Sequence, residues 1–262
     1  MNDPYLANSI EIRPIPAFQD NYIWMLVRHA QAIVVDPGDA EPVQAALRRD
    51  ALSLTDIVVT HHHRDHVGGV AELVDAHGAR VWGPAGETIP RRQVALHEGD
   101  RIELMDQGFT VIDIPGHTLG HVALHSPGLS LLLCGDTLFA CGCGRLFEGT
   151  AQQMSASLAK LARLPGATRV YCGHEYTLAN IRFARAVEPD SAELAAREQR
   201  CQQQRARGLP TLPSTIAEEL ATNPFLRCSE PAVRAAAERR VPGAGADPVS
   251  TFAALRAWKN QF

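Results

Sequence analysis

Residues 60–69 read Thr-His-His-His-Arg-Asp-His-Val-Gly-Gly and follow directly on the apolar run Ile57-Val58-Val59. The apolar run predicts a buried strand, so the polar stretch begins at the mouth of that strand. Its candidate metal-binding side chains are His61, His63, Asp65 and His66. Because so many imidazoles and carboxylates do not suit a packed core, residues 60–69, here called the histidine loop, predict a metal site.

The spacing within the histidine loop predicts how its side chains divide. Alternate residues leaving a strand point to the same side, so His61 and His63 are expected to converge on one ion. Asp65 and His66 are expected to face elsewhere, which would let one loop serve two ions with further ligands from distant parts of the chain. The alternative is a solvated, histidine-rich surface loop, which the spacing before Gly68-Gly69 disfavours.

Three further apolar runs end in a residue that can bind a metal. These residues are His117 after residues 111–116, Asp136 after residues 131–135 and His174 after residues 170–173. A single His or Asp at a strand end is more typical of a cap or a turn. Strand ends are rigid platforms, however, and their recurrence here predicts that the three residues complete the metal site.

The composition is that of an ordinary globular protein, with 262 residues, 45% hydrophobic and 21% charged. The net charge of −4 argues against a nucleic-acid-binding protein with a basic surface. Residues 1–179 carry 13 basic and 20 acidic side chains, a net charge of −7, whereas residues 180–262 carry 12 and 9, a net charge of +3. The mildly basic end suits a small anionic ligand better than a polymer.

The sequence shows no targeting or membrane-spanning pattern. Met1-Asn2-Asp3-Pro4 lacks a charged segment followed by an apolar one, and no apolar run approaches the length of about 20 residues that spans a membrane. A cytoplasmic protein is therefore expected. The six cysteines form no Cys-x-x-Cys pair, which predicts reduced, mostly buried thiols rather than disulfides or a thiolate zinc site.

The pattern of elements changes near residue 174. Before it, residues 23–27 and 32–35 predict a hairpin, and strands predominate around helices predicted at 41–49, 70–76 and 154–164. From residue 175 onward the pattern is helical with no strand signal. Residues 191–207 predict a solvated helix there, and later helices are predicted to begin at Thr215 with Glu218, Ser229 with Pro231 and Asp247 with Pro248.

With these residues in view, the sequence resembles the metallo-β-lactamase superfamily and, within it, the hydroxyacylglutathione hydrolase (glyoxalase II) family. The superfamily marks are His-x-His-x-Asp-His at 61–66, Pro-Gly-His-Thr at 115–118, Gly-Asp at 135–136 and Gly-His at 173–174. The narrower marks are Gly-Asp-Thr-Leu-Phe at 135–139, Gly-Cys-Gly-Arg at 142–145, Gly-His-Glu-Tyr-Thr at 173–177, Asn-Pro-Phe-Leu-Arg at 223–227 and Arg-x-x-Lys at 256–259.

The resemblance implies an α/β fold. The expected architecture is an αββα metallo-β-lactamase-type sandwich over residues 1–174, which would be catalytic. A smaller, all-helical domain that binds substrate is expected to follow over residues 175–262.

The resemblance also implies a binuclear metal site. One ion would lie on His61, His63 and His117, and a second on Asp65, His66 and His174, with Asp136 bridging both. Two divalent ions per chain are therefore expected, with zinc as the first choice and iron or manganese as alternatives.

The implied activity is hydrolysis of the thioester S-(2-hydroxyacyl)glutathione, typically S-D-lactoylglutathione, to glutathione and a 2-hydroxy acid. This is the second step of methylglyoxal detoxification. The nucleophile would be a hydroxide bridging the two ions, so no side chain is expected to act as a catalytic nucleophile, and the chain has no Gly-x-Ser-x-Gly sequence. A thiolate whose conjugate acid has a pKa of about 8.5 leaves without a strong general acid, which favours thioesters over lactams.

The same resemblance implies the glutathione-binding residues Arg145, Phe147, Tyr176, Arg256 and Lys259. Some relatives carry Lys and Tyr where this chain has Arg145 and Phe147. The charge is kept at Arg145, but the loss of the phenolic hydroxyl would remove one hydrogen bond to glutathione, worth a net ~0.5–1.5 kcal/mol. Arg256 and Lys259, three residues apart, share one helix face and are expected to present solvent-accessible cations to the glycine carboxylate. The alternative for this pair is an ordinary charged helix face.

Three residues beside the expected ligands, His62, His121 and Glu175, are expected to orient them. The expected partner is a glutathione thioester, with no nucleic acid and no membrane, and the chain is expected to be a monomer. Two other functional classes stay open at this point. One is another superfamily enzyme, such as a lactonase, an RNA-processing nuclease or a mononuclear-iron sulfur dioxygenase, and the other is a metal-binding protein without catalysis.

Overall fold

The computed structural model describes residues 10–262, which fall into two compact units. The first unit contains the described residues up to Asp113 together with Gly120–Leu124. The second contains Ile114–Leu119 and His125–Phe262. No helix between residues 10 and 262 is long and apolar enough to cross a membrane.

The first unit is built on a six-stranded sheet in the order β1 to β6. Its strands are β1 (Glu11–Ala17), β2 (Asn21–Arg28), β3 (Gln31–Val35), β4 (Ser53–Val58), β5 (Arg80–Pro84) and β6 (Val94–Leu96). β1, β2 and β3 pair antiparallel, which confirms the predicted hairpin of residues 23–35, whereas β3 to β6 pair parallel. The strand β1 was not predicted from the sequence.

β5 joins the parallel strand β6 through a loop, whereas helices make the other connections between parallel strands of this sheet, as is usual. They are α1 (Ala40–Asp50) between β3 and β4, then α2 (Arg64–Val67) and α3 (Val70–His77) between β4 and β5. The predicted helices at 41–49 and 70–76 are therefore confirmed. α1 begins where the Asp39 side chain accepts a hydrogen bond from the Glu41 amide, and it packs Val43 and Leu47 against Ile57 of β4 in one buried cluster.

The first unit ends in a hairpin and the start of a further strand. β7 (Arg101–Leu104) and β8 (Gln107–Asp113) pair antiparallel, and β9 (Val122–Ser126) follows β8 in the order of the sheet. The Val122 amide donates to the Thr60 carbonyl over 3.0 Å, so β9 begins beside the histidine loop.

The second unit combines strands with the helical end of the chain. Its elements are β10 (Leu131–Gly135), β11 (Leu138–Phe139), β12 (Gly142–Cys143), α4 (Ala151–Ala162), β13 (Arg169–Cys172), α5 (Thr177–Val187), α6 (Ala192–Ala206), β14 (Ser214–Thr215), α7 (Ile216–Thr222), α8 (Pro231–Arg240) and α9 (Pro248–Gln261). β13 lies between β10, with which it pairs parallel, and β14, with which it pairs antiparallel. β11 and β12 form a separate small hairpin.

Three expectations for the helical end are wrong in detail. It contains one strand, β14, which forms because residues 214–215 pair with Arg169 and Val170 of β13. α8 begins after Glu230 rather than at Ser229. α6 is not a fully solvated helix, because Leu194, Arg197 and Cys201 are buried. The predicted starts at Thr215 and at Asp247 are confirmed, since both side chains accept backbone amides of the helix that follows.

Candidate metal centre

The histidine loop in the first unit brings its predicted ligands close together. His61 and His66 are buried, and His63 and Asp65 are half-buried. The ring of His61 lies 4.8 Å from that of His63 and 4.2 Å from that of His66, between ring centroids. The Asp65 Oδ2 lies 3.6 Å from the His66 Nε2. The four side chains thus form one compact set of imidazole nitrogens and carboxylate oxygens.

Asp36, directly after β3, holds two of these rings. Its carboxylate accepts the Thr60 amide and the Thr60 hydroxyl, each over 2.7 Å, and it lies 3.1 Å from the His66 Nδ1. The Thr60 hydroxyl gives its proton to Asp36, so it accepts from the His61 Nδ1, 3.1 Å away. The Thr60 hydroxyl therefore assigns the ring proton of His61 to Nδ1 and leaves its Nε2 as the ligand atom, and the Asp36 carboxylate lies on the Nδ1 side of His66.

Asp36 was not predicted as a metal-binding or ligand-orienting residue. One ligand atom from each of Asp36, His61 and His66 lies within 4.8 Å of the others. The signal that could have found it is the one used elsewhere, a carboxylate directly after a buried apolar run. Gly38, two residues on, packs tightly against the loop, since a Cβ there would lie 1.8 Å from the Asp65 carbonyl oxygen.

Two histidines that were expected to orient ligands also lie in the first unit. The His62 Nδ1 lies 3.0 Å from the Glu87 carboxylate, which also accepts the Gly120 amide over 3.1 Å. The ring of His121 stacks on that of His61, with centroids 4.5 Å apart and planes at 14°. His121 therefore limits the tilt of the His61 ring, whereas His62 contacts Glu87.

The second unit gathers the other three predicted ligands, all of them buried. The Asp136 Oδ2 lies 3.4 Å from the His117 Nε2 and 3.3 Å from the His174 Nε2. One carboxylate oxygen thus faces two imidazole nitrogens, each on a different loop. This is the arrangement expected where a carboxylate shares the coordination of ions with both histidines.

Residues 136–147, here called the ligand segment, fix the orientation of His117. The His117 Nδ1 lies 2.8 Å from the Arg145 carbonyl oxygen. A carbonyl only accepts, so Nδ1 carries the proton and Nε2 faces Asp136. Gly144 allows this close approach, because a Cβ there would lie 1.9 Å from the Asp136 carbonyl oxygen and 3.0 Å from the His117 ring.

The distances within each unit fit a metal ion better than direct hydrogen bonds. Two ligand atoms, each roughly 2.0–2.1 Å from a tetrahedral ion, lie roughly 3.3–3.4 Å apart. The Asp136–His117, Asp136–His174 and Asp65–His66 separations are 3.4, 3.3 and 3.6 Å, longer than the roughly 2.7–3.2 Å of a good N–H···O bond. Nitrogen and oxygen donors of this kind suit divalent ions, so the residues present fit that class of cofactor.

Two aromatic residues predicted to bind substrate pack on metal-binding candidates of the second unit. The exposed ring of Phe147 meets His117 edge-on, with centroids 5.3 Å apart. Tyr176 stacks on His174, with centroids 4.6 Å apart and planes at 5°. Arg145, the residue whose carbonyl holds His117, points an exposed side chain from the same segment.

The two predicted cations of α9 differ from each other. Arg256 is 4% exposed and its Nη1 donates to the Cys143 carbonyl oxygen over 2.7 Å. The expectation of a solvent-accessible Arg256 is therefore wrong. The alternative of an ordinary charged helix face is wrong as well, because the buried guanidinium donates to the backbone of β12. Arg256 also lies over the ring of Phe225, 5.2 Å from its centroid.

Lys259 is half-buried and its Nζ donates to the Ala179 carbonyl oxygen over 3.4 Å. The pKa of Lys259 is lowered to about 8, first by burial and then by the nearby charges of Arg256, Arg182 and Arg145. Arg182 was not predicted as part of this cationic cluster. Its position on α5, one turn from Ala179, gives no motif by which the sequence could have revealed it.

Glu175, next to His174 in sequence, was expected to orient a metal-binding residue, but its carboxylate contacts Thr211 and Arg205. Its carboxylate accepts the Thr211 amide over 2.8 Å and lies 3.8 Å from Arg205. It therefore anchors the loop that leads to β14.

Comparison with known proteins agrees with this geometry. The metallo-beta-lactamase superfamily model matches residues 18–174, and the hydroxyacylglutathione hydrolase C-terminus model matches residues 175–262. The chain is 56% identical over 257 residues to the hydroxyacylglutathione hydrolase of Pseudomonas aeruginosa (strain LESB58), covering 97% of this chain and 100% of that protein. The chain belongs to the hydroxyacylglutathione hydrolase family.

Solved structures extend the comparison to the fold. The BLEG-1 B3 metallo-beta-lactamase is 23% identical with a TM-score of 0.62, over 83% of this chain and 99% of that one. TTHA1623, solved in a di-iron-bound form, is 32% identical with a TM-score of 0.53, over 63% of this chain and 91% of that one. The predicted fold class, a metallo-β-lactamase-type α/β fold followed by a helical C-terminal part, is confirmed.

Proposed function

We propose that the protein hydrolyses S-(2-hydroxyacyl)glutathione thioesters, typically S-D-lactoylglutathione, to glutathione and a 2-hydroxy acid. Family membership over nearly the whole chain supports this assignment. The observation that carries it in the structure is the bond from Arg256 of α9 to the Cys143 carbonyl. It ties the cationic end of the chain to the ligand segment, so recognition and chemistry share one scaffold.

For the metal ligands, we propose the sets that the family pattern implies. His61, His63 and His117 would hold one divalent ion, Asp65, His66 and His174 a second, and Asp136 would contact both. Zinc, iron and manganese all suit these donors. When bound, two such ions supply a hydroxide nucleophile near neutral pH and stabilise negative charge on the carbonyl oxygen.

The chain's own residues would supply orientation and rigidity. Thr60 and the Arg145 carbonyl hold His61 and His117 by Nδ1, which turns Nε2 toward the other metal-binding candidates, and Asp36 lies on the Nδ1 side of His66. Buried side chains of the ligand segment exclude water around Asp136, which strengthens each electrostatic contact there. No residue is needed to protonate a strongly basic leaving group, since a thiolate with a conjugate-acid pKa of about 8.5 leaves unaided.

The substrate would be recognised at the helical end, residues 175–262, with Arg145 and Phe147 of the ligand segment. The charges of Arg145 and Arg182 both act on Lys259, and a cluster of cations of this kind suits the carboxylates of glutathione. Phe147 and Tyr176 border His117 and His174 and would face the acyl-cysteinyl part. Arg256 would act indirectly, by holding the Cys143 carbonyl of the ligand segment. The chain is proposed to work as a cytoplasmic monomer.

The test compares initial rates on S-D-lactoylglutathione with those on a plain thioester that lacks the γ-glutamyl-cysteinyl-glycine part. A charge-assisted contact contributes roughly 1.5–3 kcal/mol, so kcat/KM is expected to be at least about 10-fold higher for the glutathione thioester. A lactam and a lactone serve as controls for other superfamily reactions. Equal kcat/KM on both thioesters, or turnover of the lactone alone, would contradict the proposal.

A further inference from the structure

A buried ion pair in the helical end has no role in the function described so far. Arg197 of α6 is 1% exposed and Glu219 of α7 is fully buried. The Arg197 Nη2 donates to the Glu219 Oε1 over 2.5 Å and to the Ser214 hydroxyl over 3.0 Å, and its Nη1 donates to the Thr222 hydroxyl over 2.5 Å. A buried pair of this kind is weak evidence for stability, because apolar residues of similar volume often pack as well or better.

The second oxygen of Glu219 reaches out of the helices to a turn about 80 residues earlier in the chain. The Glu219 Oε2 accepts the Cys141 amide over 2.8 Å and the Asn223 side-chain amide over 2.9 Å. Asn223 in turn donates to the Gly142 carbonyl over 2.9 Å and to the Phe139 carbonyl over 3.2 Å. Glu219 and Asn223 thus hold both sides of the turn at residues 139–142.

This turn needs external support because of its backbone conformation. Cys141 has a φ of +58°, in the left-handed region that disfavours residues other than glycine. Such a conformation persists where surrounding groups over-determine it. The carboxylate of Glu219 does so by accepting the Cys141 amide directly.

The turn joins β11 to β12, and the ends of this hairpin lie at the metal-binding candidates. Asp136 precedes β11 by two residues, and Arg145, whose carbonyl accepts His117, follows β12 by two. The Gly144 amide donates to the Thr137 carbonyl over 3.2 Å, which closes the hairpin base. A shift of the turn would therefore be passed to both Asp136 and His117.

We propose that the buried Arg197–Glu219 pair is a positioning device for the metal centre. Glu219 fixes the turn at residues 139–142 and thereby the placement of Asp136 and of the carbonyl that orients His117, while Arg197 provides the compensating charge and aims the carboxylate. The proposal rests on the proposed function to the extent that it takes Asp136 and His117 as metal ligands.

The test replaces Glu219 by Gln, which keeps the size but puts an amide donor among groups that need an acceptor. Zinc affinity of the metal-free protein is measured by competition with a chromophoric chelator, and the cobalt-substituted protein is examined by absorption spectroscopy. Glu219→Gln is expected to weaken zinc binding about 10- to 100-fold, the range for groups that orient ligands, and to alter the cobalt spectrum. It should lower kcat while KM changes less than about twofold.

The matched control is Glu218→Gln on the same helix. Glu218 is half-buried, pairs with Arg200 at the surface and lies 3.5 Å from Arg197, but it has no bond to the turn. It is expected to leave zinc affinity and the cobalt spectrum unchanged. Cys141→Gly in the Glu219→Gln background should restore part of the zinc affinity, because glycine adopts the left-handed conformation without support.

The opposite outcome is also specific. If Glu219→Gln lowers the melting temperature while zinc affinity, cobalt spectrum and kcat stay at their wild-type values, the pair is only structural. If Glu219→Gln does not fold, Arg197→Lys, which keeps the charge but loses the forked contacts, gives the same two readouts. If the wild type binds zinc and Glu219→Gln weakens that binding, but the wild type hydrolyses no thioester, the positioning proposal stands and the proposed function is overturned.

Discussion

The histidine loop and the ligand segment hold their metal-binding candidates by different means. In the histidine loop, support comes from the same sheet, where Asp36 after β3 and Thr60 after β4 fix His61 and His66. In the ligand segment, support comes from far along the chain, where Glu219 and Arg256 hold the backbone at Cys141 and Cys143. The first arrangement is intrinsic to the sheet, whereas the second depends on the helical end.

The helical end, residues 175–262, supports the backbone of the ligand segment. Its buried side chains Glu219, Asn223 and Arg256 satisfy backbone groups of the short hairpin formed by β11 and β12. An unsatisfied buried carbonyl or amide costs roughly 1–3 kcal/mol. Removing the helices would therefore be expected to disturb the ligand segment before any loss of substrate contacts is considered.

The largest loss of activity is expected on removing Asp136, the carboxylate of the ligand segment. Asp136→Ala should lower kcat/KM by more than about 10³-fold, beyond the roughly 10²–10³-fold of a single electrostatic contact, since it removes a group that faces both His117 and His174. Metal content by atomic absorption should fall in parallel. Asp136→Asn, which keeps the volume, serves as the control for packing, and retention of both metal and activity in Asp136→Ala would break the assignment.

A smaller loss, of zinc affinity, is expected on replacing Asp36, the carboxylate that supports the histidine loop of the first unit. Asp36→Asn suits the local φ of +54°, but its amide nitrogen would take the place of a carboxylate oxygen that accepts the Thr60 hydroxyl and lies 3.1 Å from the His66 Nδ1. Zinc affinity measured by chelator competition should fall about 10- to 100-fold. Asp39→Asn, three residues on, should leave it unchanged, because Asn also caps α1. Equal affinity in the wild type and Asp36→Asn would mean that the ligands need no such support.

The sequence could reveal the histidine loop because its ligands are adjacent and its spacing is a strand-end pattern. His117, Asp136 and His174 were predictable for the same reason, as each ends an apolar run. The support for the ligand segment was not predictable, because Arg197 sits in a run rich in Gln and Arg that looks solvated, and Glu219 in an ordinary capping sequence. Their partner in the ligand segment, Cys141, lies 56 and 78 residues away, and only the fold brings them together.

The fold follows the same division. Long apolar strands and well-capped helices were predictable from periodicity and caps, and the structure confirms them. The two-residue strands β11, β12 and β14 were not, since elements so short have no period of their own and form through pairing with a neighbour. Arg256 was read as an accessible cation from its spacing, and burial against Phe225 and Cys143 could not be foreseen from sequence.

The smallest effect is a pH dependence of KM, which we expect from the titration of Lys259. With its pKa lowered to about 8 by burial and by the neighbouring Arg256, Lys259 is charged at pH 7 and largely neutral at pH 9. If the charged form holds a substrate carboxylate, KM should rise by up to about tenfold between these pH values, because about one molecule in ten is still protonated at pH 9.

The measurement is KM of the glutathione thioester across this range for the wild type and for Lys259→Arg. Arginine stays charged throughout, so the variant should show only the residual dependence that comes from the substrate. Lys160→Arg, at the only other lysine of the chain, is the matched control and should behave as the wild type. Identical pH profiles for wild type and Lys259→Arg would remove Lys259 from substrate recognition.

The most direct measurement is a titration of metal-free protein with zinc, in which bound zinc and hydrolysis of S-D-lactoylglutathione are followed on the same samples. The histidine loop and the ligand segment are proposed to serve one binuclear centre, so activity should rise to its maximum at two zinc ions per chain. Full activity at one ion per chain or fewer would contradict that account.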